Sequence, residues 1–252
     1  MTDTTRYAHD FYDDRHAQTG YAAERMLALV AEVVPPIRSA VDIGCGVGTW
    51  LSVLANRGVE RLQGFDGPWV ADELLEIRRD QFARRDLSKE IARPDQRYDL
   101  AISLEVAEHL PADSADTFVR SLTNQSDFVL FSAAIPHQGG KHHVNEQWIE
   151  YWVDRFQSHD YVGLDVLRMP LWSDERIQRW YRQNAVLFAA RTRVPELTLP
   201  RPCSELAPVS LVHPRTLEYR FARQQREKAK SQSLKGSWTL FRRALRQSVG
   251  GR

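Results

Sequence analysis

Hydrophobic positions along the chain gather into short, nearly continuous apolar runs, with stretches of helix-like spacing between them. "AVDIG" (residues 40 to 44), "RLQGFD" (61 to 66), "YDLAISLE" (98 to 105) and "DFVLFSAA" (127 to 134) have strand length and predict buried strands. "YVGLDVLRM" and "NAVLFAAR" predict two more near the end of this region. Strands alternating with helices point to an α/β fold: a mostly parallel sheet covered by helices on both faces. Such sheets bind ligands beyond the carboxyl ends of their strands.

The first strand runs directly into three glycines in "VDIGCGVGTW" (41 to 50), and a helix is expected from Thr49 or Trp50. Gly44, Gly46 and Gly48 let the backbone turn sharply and approach a ligand closely, which suits a nucleotide-like molecule. Their G-x-G-x-G spacing departs from the G-x-G-x-x-G of dinucleotide binding, which disfavours an NAD-dependent oxidoreductase. The second strand closes with "GFDG", placing Asp66 twenty residues beyond Gly46, where a carboxylate can accept hydrogen bonds from ribose hydroxyls. The alternative for Asp66 is a plain turn residue.

With "VDIGCGVGT", "GFDG", "ARRDLSK" and "YDLAISLEVAEHL" in this order, the sequence resembles the class I S-adenosylmethionine-dependent methyltransferases over roughly residues 10 to 191. The resemblance implies a Rossmann-like seven-stranded sheet with an antiparallel last strand. It implies S-adenosyl-L-methionine lying over strands one, two and four. The residues it points to for the cofactor are Asp42, Gly44, Cys45, Gly46, Gly48, Asp66, Gly67, Asp86, Leu87, Leu104 and Glu105. A later stretch, "IPHQGGKHHVNEQWIEYW" followed by "RIQRWYRQN", resembles a bacterial branch associated with glycan and polysaccharide biosynthesis. His137 stands where that branch carries a small residue. An O-methyltransferase acting on a hydroxyl of a sugar, oligosaccharide or polysaccharide end is the activity this implies. Other small-molecule acceptors, such as a natural product or a lipid- or quinone-like compound, and a non-catalytic cofactor-binding protein are the alternatives.

If the acceptor is a hydroxyl, its proton must leave, and a neutral histidine is suited to take it. His109, His137, His142 and His143 are the candidates. His143 is preferred because it matches the branch motif, with His142, His109 and Glu105 as the other candidate catalytic groups. His137, Asn145, Gln147, Trp148 and Tyr151 are expected to bind substrate. Asn145 is also expected to cap the following helix, with Glu146 in its first turn. Glu105 could join a histidine around a divalent cation such as Mg2+, although no spacing demands a metal.

Composition bounds these readings. A chain of 252 residues that is 42% hydrophobic can bury one substantial core. Its apolar runs fall short of the roughly 20 residues that span a bilayer, and "MTDTTRYAHDFYDD" lacks the apolar stretch of a signal peptide, so a cytoplasmic protein is expected. Cys45 and Cys203 give neither a disulfide framework nor zinc spacing.

The net charge of +1 conceals a division: eleven Lys or Arg against two Glu lie from Arg215 onward, leaving 23 basic and 31 acidic residues before it. Three segments follow: a methyltransferase domain over 1 to 192, a proline-rich connection over 193 to 216, and a basic helical tail over 217 to 252. Leu234, Trp238, Phe241 and Leu245 recur at helical spacing along the tail. They suit a membrane surface, a polyanion, the chain's own domain or a second subunit in a homodimer. Without a further nucleic-acid motif, an RNA substrate is the minor alternative.

Overall fold

The computed structural model describes the backbone of residues 4 to 249 and the side chains of residues 19 to 231. Seven strands form one sheet: β1 (Ser39–Ile43), β2 (Arg61–Asp66), β3 (Phe82–Arg84), β4 (Leu100–Leu104), β5 (Phe128–Ser132), β6 (Tyr161–Leu164) and β7 (Val186–Ala190). Their spatial order is β3-β2-β1-β4-β5-β7-β6. The first five run parallel, and β7 pairs antiparallel with both β5 and β6. This is the Rossmann-like sheet expected from the sequence, with its reversed last strand.

The strand β3 did not register in the hydrophobic pattern. It is three residues long, with Phe82 its one buried side chain, and two arginines follow. Pairing with β2 at the sheet edge makes it a strand.

Among the described residues there are seven α-helices: α1 (Thr4–Val33), α2 (Thr49–Asn56), α3 (Ala115–Gln125), α4 (Ile149–Gln157), α5 (Arg168–Leu171), α6 (Arg179–Asn184) and α7 (Pro214–Val249). Alternating strand residues divide the core into two layers. On one face Ala40, Leu100, Ile102 and Leu130 pack with Met26, Leu27 and Val30 of α1 and Leu51 and Leu54 of α2. On the other, Val41, Ala101, Val129, Phe131 and Phe188 meet Phe118 and Leu122 of α3 and Trp152 and Phe156 of α4. Burial on both faces explains why the strands read as continuous apolar runs. Phe156 and Phe188 stack with ring centroids 3.8 Å apart.

Residues Met1–His213 form one compact unit and Pro214–Arg252 a second. Residues 193 to 213 of the proline-rich stretch fall within the first unit. Backbone bonds hold the stretch there: Thr198 N–H donates to the Val33 carbonyl at 2.9 Å, and Asp165 N–H to that of Leu206 at 2.7 Å. His213 N–H donates to Oε1 of Gln183 at 2.8 Å. Among the described residues no helix is long and apolar enough to cross a membrane. The apolar stripe from Leu234 to Leu245 lies outside the described side chains.

Candidate active site

Where β1 ends, Gly44 and Gly48 adopt φ of 90° and 93°, which side chains disfavour. A Cβ on Gly44 would stand 2.3 Å from Cγ2 of Val106. The N–H groups of Gly44 and Cys45 donate to the Phe65 carbonyl at 2.7 and 3.2 Å, fastening the turn to the end of β2. Asp66 completes that fastening. Its Oδ2 accepts from Gly46 N–H and its Oδ1 from Gly67 N–H, each at 2.6 Å. Each carboxylate oxygen has a second lone pair, so Asp66 can shape the turn and still receive a ribose hydroxyl.

Above this turn lies an open cleft of about 300 Å³. Asp42, Gly44, Cys45, Gly46 and Leu104 of the expected set line it. Thr19, Val47, Thr49, Trp50 and Tyr181, which lie outside the expected set, line it too. Trp50 and Tyr181 meet edge to face with centroids 5.5 Å apart, although α2 and α6 are more than a hundred residues apart in the chain. The Asp42 carboxyl is 2% exposed. Burial, with Asp66 adding to it, pushes that carboxyl well above the usual carboxylate range. Burial also raises the Cys45 thiol, which keeps it protonated and unreactive.

Other expected cofactor residues stand outside the lining. Asp86 is exposed and accepts from the Ser88 hydroxyl at 2.6 Å, while Leu87 is buried in the core. Gly48 faces Ile77, and Gly67 lies under the ring of Trp69, which is 77% exposed.

Beyond β4, Glu105 sits in the left-handed region at φ 57°. Its carboxylate accepts from Nε2 of Gln138 at 2.7 Å and from Nδ2 of Asn184 at 3.0 Å. Burial raises the Glu105 carboxyl, and hydrogen bonds from Asn184, Ser132 and Gln138 work against that rise. Each oxygen thus holds one amide donor, and Glu105 stands outside the cluster of Glu108, His109 and His143, whose ligand atoms lie within 4.8 Å of one another. Glu108, three residues on, is the carboxylate found beside the histidines, and the sequence reading passed over it. It is fully buried. Neither of its oxygens has a hydrogen-bond partner; the N–H groups of Glu108 itself and of Ala134 face the carboxylate without reaching bonding geometry. Burial, and next the charge of Glu105, push its carboxyl well above the usual range.

The loop after β5 closes over this point. His137 and His142 take left-handed backbone at φ 68° and 61°, and both are exposed. Glu146 gathers the loop, accepting from the N–H of His137 at 2.7 Å, from that of Gly139 at 3.2 Å, and from Nδ1 of His143 at 2.9 Å. Burial opposes ionisation of Glu146, but the bonds from His143, His137 and Gly139 outweigh it and hold the carboxyl below its ordinary value.

His143 meets His109 edge to face at 4.8 Å, and Nδ1 of His109 lies 3.3 Å from the His142 carbonyl. Burial, and then His143, lower the His109 pKa, favouring the neutral ring. The carbonyl of Glu108 accepts from the N–H groups of Val144 and Asn145 at 2.8 and 3.0 Å, so the loop and the β4 turn form one structure.

Asn145 does not cap α4. The helix starts at Ile149 with Trp148 at the cap position, and Asn145 is buried, its Oδ1 accepting from Nε2 of Gln147 at 3.0 Å. Trp148 is 40% exposed at the head of α4. The guanidinium of Arg155 covers the ring of Tyr151 at 3.4 Å.

The sequence profile of a family described as a methyltransferase domain matches residues 14 to 171. The chain belongs to this methyltransferase family. No curated protein matches it. Among solved structures, the methyltransferase domain of a bacterial Hen1 is 19% identical, covering 70% of this chain and 98% of its own, with a TM-score of 0.44. The plantazolicin methyltransferase BpumL is 14% identical over 75% of this chain and 92% of its own, at 0.48. Magnesium protoporphyrin IX methyltransferase from Synechocystis is 16% identical over 71% and 81%, at 0.46.

As a methyltransferase the chain uses S-adenosylmethionine, and the residues present fit that molecule. At Gly46 an added Cβ would meet nothing within 4 Å, so the turn leaves room against its backbone, and the buried Asp42 carboxyl would become an anionic partner on ionising beside a cationic ligand. When bound, the cofactor supplies an electrophilic methyl group. The protein must then hold acceptor, methyl carbon and sulfur in line.

Proposed function

We propose that the protein is an O-methyltransferase that moves the methyl group of S-adenosylmethionine to a hydroxyl of a sugar, oligosaccharide or polysaccharide end. The observation that carries this reading is the dyad of His143 and Glu146, 2.9 Å apart at the carboxyl end of β5, beside His109. Glu146 is an acceptor, so Nδ1 of His143 holds a proton and the Nε2 lone pair is left to receive another. The hydroxyl proton passes to Nε2, the acceptor oxygen forms a bond to the methyl carbon, and the sulfur–methyl bond breaks with its electron pair left on sulfur. His142, with its exposed ring, has the lesser claim to this role.

Carbohydrate is the proposed acceptor class because polar groups crowd this end of the sheet. Gln147, half-buried beside the histidine loop, offers an amide to a hydroxyl, and Trp148 offers an exposed ring face on which a sugar ring can lie. The test is incubation with labelled S-adenosylmethionine and a panel of sugars, phenols and peptides. Label in an alkali-stable methyl ether of a sugar is expected, whereas label confined to phenols or peptides would overturn the acceptor assignment.

A further inference from the structure

We propose that Glu108, His109 and His143 form a binding site for one divalent first-row transition-metal ion. One ligand atom from each of the three lies within 4.8 Å of the others. Two imidazoles and one carboxylate are a donor set that suits such ions, and harder Mg2+ would favour an all-oxygen site.

Three features are those of a site built for a cation. Glu108 is fully buried, and neither carboxylate oxygen has a hydrogen-bond partner. A buried carboxyl without partners is costly in either form, and a cation beside it would let it ionise and remove that cost. Both histidines also have the right tautomer fixed from behind. A carbonyl oxygen can only accept, so the 3.3 Å contact of His109 Nδ1 with His142 O places a proton on Nδ1. The carboxylate of Glu146 does the same for His143 at 2.9 Å. In each neutral ring the Nε2 lone pair is then available to a metal, with a carbonyl or carboxylate behind it as metal-bound histidines commonly have.

The third feature is mechanical. The Glu108 carbonyl holds Val144 and Asn145 by backbone bonds, which tie the loop that carries His143 to the turn that carries Glu108 and His109. Metal bonds of roughly 2.1 Å set neighbouring ligand atoms roughly 3 Å apart, so the three must draw together by about 1 to 2 Å on binding. His109 is exposed and gives the ion a way in.

The site lies at the same end of the sheet as the glycine cleft, beyond the ends of β4 and β5. A cation there would take the His143 Nε2 lone pair that otherwise receives the hydroxyl proton, so a loaded site would replace that base: the ion would ligate the acceptor hydroxyl and weaken its hold on a proton released to bulk water. That use rests on the hydroxyl-acceptor reading; binding of the ion does not.

The test is titration of the full-length, chelator-treated protein with Co2+, followed by visible absorption, and with Mn2+, followed by electron paramagnetic resonance. One ion per chain is expected, with Co2+ bands that report nitrogen and oxygen ligands. Glu108→Gln and His109→Gln should each weaken Co2+ binding by roughly 100-fold or more. Glu146→Gln, which acts from behind His143, should cost roughly 10- to 100-fold. His142→Ala should leave Co2+ binding unchanged, since its carbonyl remains. Circular dichroism and melting confirm that each variant is folded; His109 is exposed enough to be replaced without unfolding the core. Absence of stoichiometric Co2+ binding by the wild type, or equal binding by folded His109→Gln, would overturn the site. Neither measurement needs an acceptor, so this proposal and the acceptor assignment fail separately.

Discussion

Gly46 N–H donates to the Asp66 carboxylate across the end of the first two strands, at 2.6 Å. The residue expected to greet the ribose is therefore also the one that shapes the glycine turn. Asp66→Ala should lose the fastening of Gly46 and Gly67 together with any ribose contact. Cofactor affinity should fall by roughly 1 to 3 kcal/mol, the scale of charge-assisted bonds. Calorimetry with S-adenosylmethionine checks this, and unchanged affinity would remove Asp66 from the binding machinery.

Glu105 presents two oxygens to two amide donors, Gln138 Nε2 and Asn184 Nδ2. Glu105→Gln would turn one of those oxygens into an NH2 group facing another NH2. The shape barely changes, but a buried donor is left unmatched, at a cost of about 1 to 3 kcal/mol. For a chain of this size that corresponds to a fall in melting temperature of roughly 2 to 12 °C. An unchanged melting temperature would mean that the network bears no load.

The Asp42 carboxyl is raised by burial and then by Asp66. The folded chain therefore keeps a proton there that the unfolded chain gives up near about pH 4. The resulting stabilisation is complete below that pH and is lost as pH rises through the folded-state pKa. Asp42→Asn has no proton to lose, so it should melt higher than the wild type at about pH 7 without cofactor, and the gap should close on acidification toward about pH 4. A cationic cofactor favours the ionised form, so binding should release a proton in the wild type. Calorimetry in buffers of different ionisation heat reads that release, and its persistence in Asp42→Asn would assign the proton elsewhere.

Much of this was legible in the sequence, and what escaped did so for local reasons. The strands β1, β4, β5 and β7 appear because burial on both sheet faces writes apolar runs along their whole length, whereas β2 and β6, buried only in part, appear through their strand length and flanking turn residues. The strand at Phe82 does not, since one buried side chain among arginines carries no period. Glu108 stands beside His109 in "EVAEHL" and does not stand out there, because a glutamate in a short turn is ordinarily solvated; in the fold it is fully buried, and its carbonyl is bonded to Val144 and Asn145 of the later loop. Asn145 looked like a helix cap for the reason any Asn before an apolar run does, yet the loop's bonds to Glu108 draw it inward. Trp50 and Tyr181 meet edge to face across more than a hundred residues of chain, a pairing that no spacing encodes.

The boundary at His213 leads to a truncation test. We propose that residues 1 to 213 are the methyltransferase unit, since the proline-rich stretch is bonded into it at Thr198, Leu206 and His213. Protein ending at residue 213 should bind S-adenosylmethionine as the full chain does. Protein ending at 192 should be markedly less stable, having lost those bonds. Equal melting temperatures for the two truncations would sink this assignment.

The smallest change with the largest expected effect is at Gly140. The ring of His143 lies directly on this residue, where an added Cβ would stand 2.1 Å from Nε2 and 2.3 Å from Cε1. No atom pair tolerates that approach, so Gly140→Ala must push the ring aside or move the loop. Glu146 still holds Nδ1 from the other side, so the displacement falls on the Nε2 edge that is proposed to face the acceptor or the ion. A misplacement of about 1 Å can cost roughly 100-fold in turnover, and that loss is expected here. Co2+ binding should weaken in the same variant. Cofactor affinity should stay within experimental error, because the glycine cleft contains no residue of this loop. Gly140→Ala with wild-type turnover and wild-type Co2+ affinity would show that the Nε2 edge of His143 faces neither acceptor nor metal, and both proposed roles for that histidine would fall together.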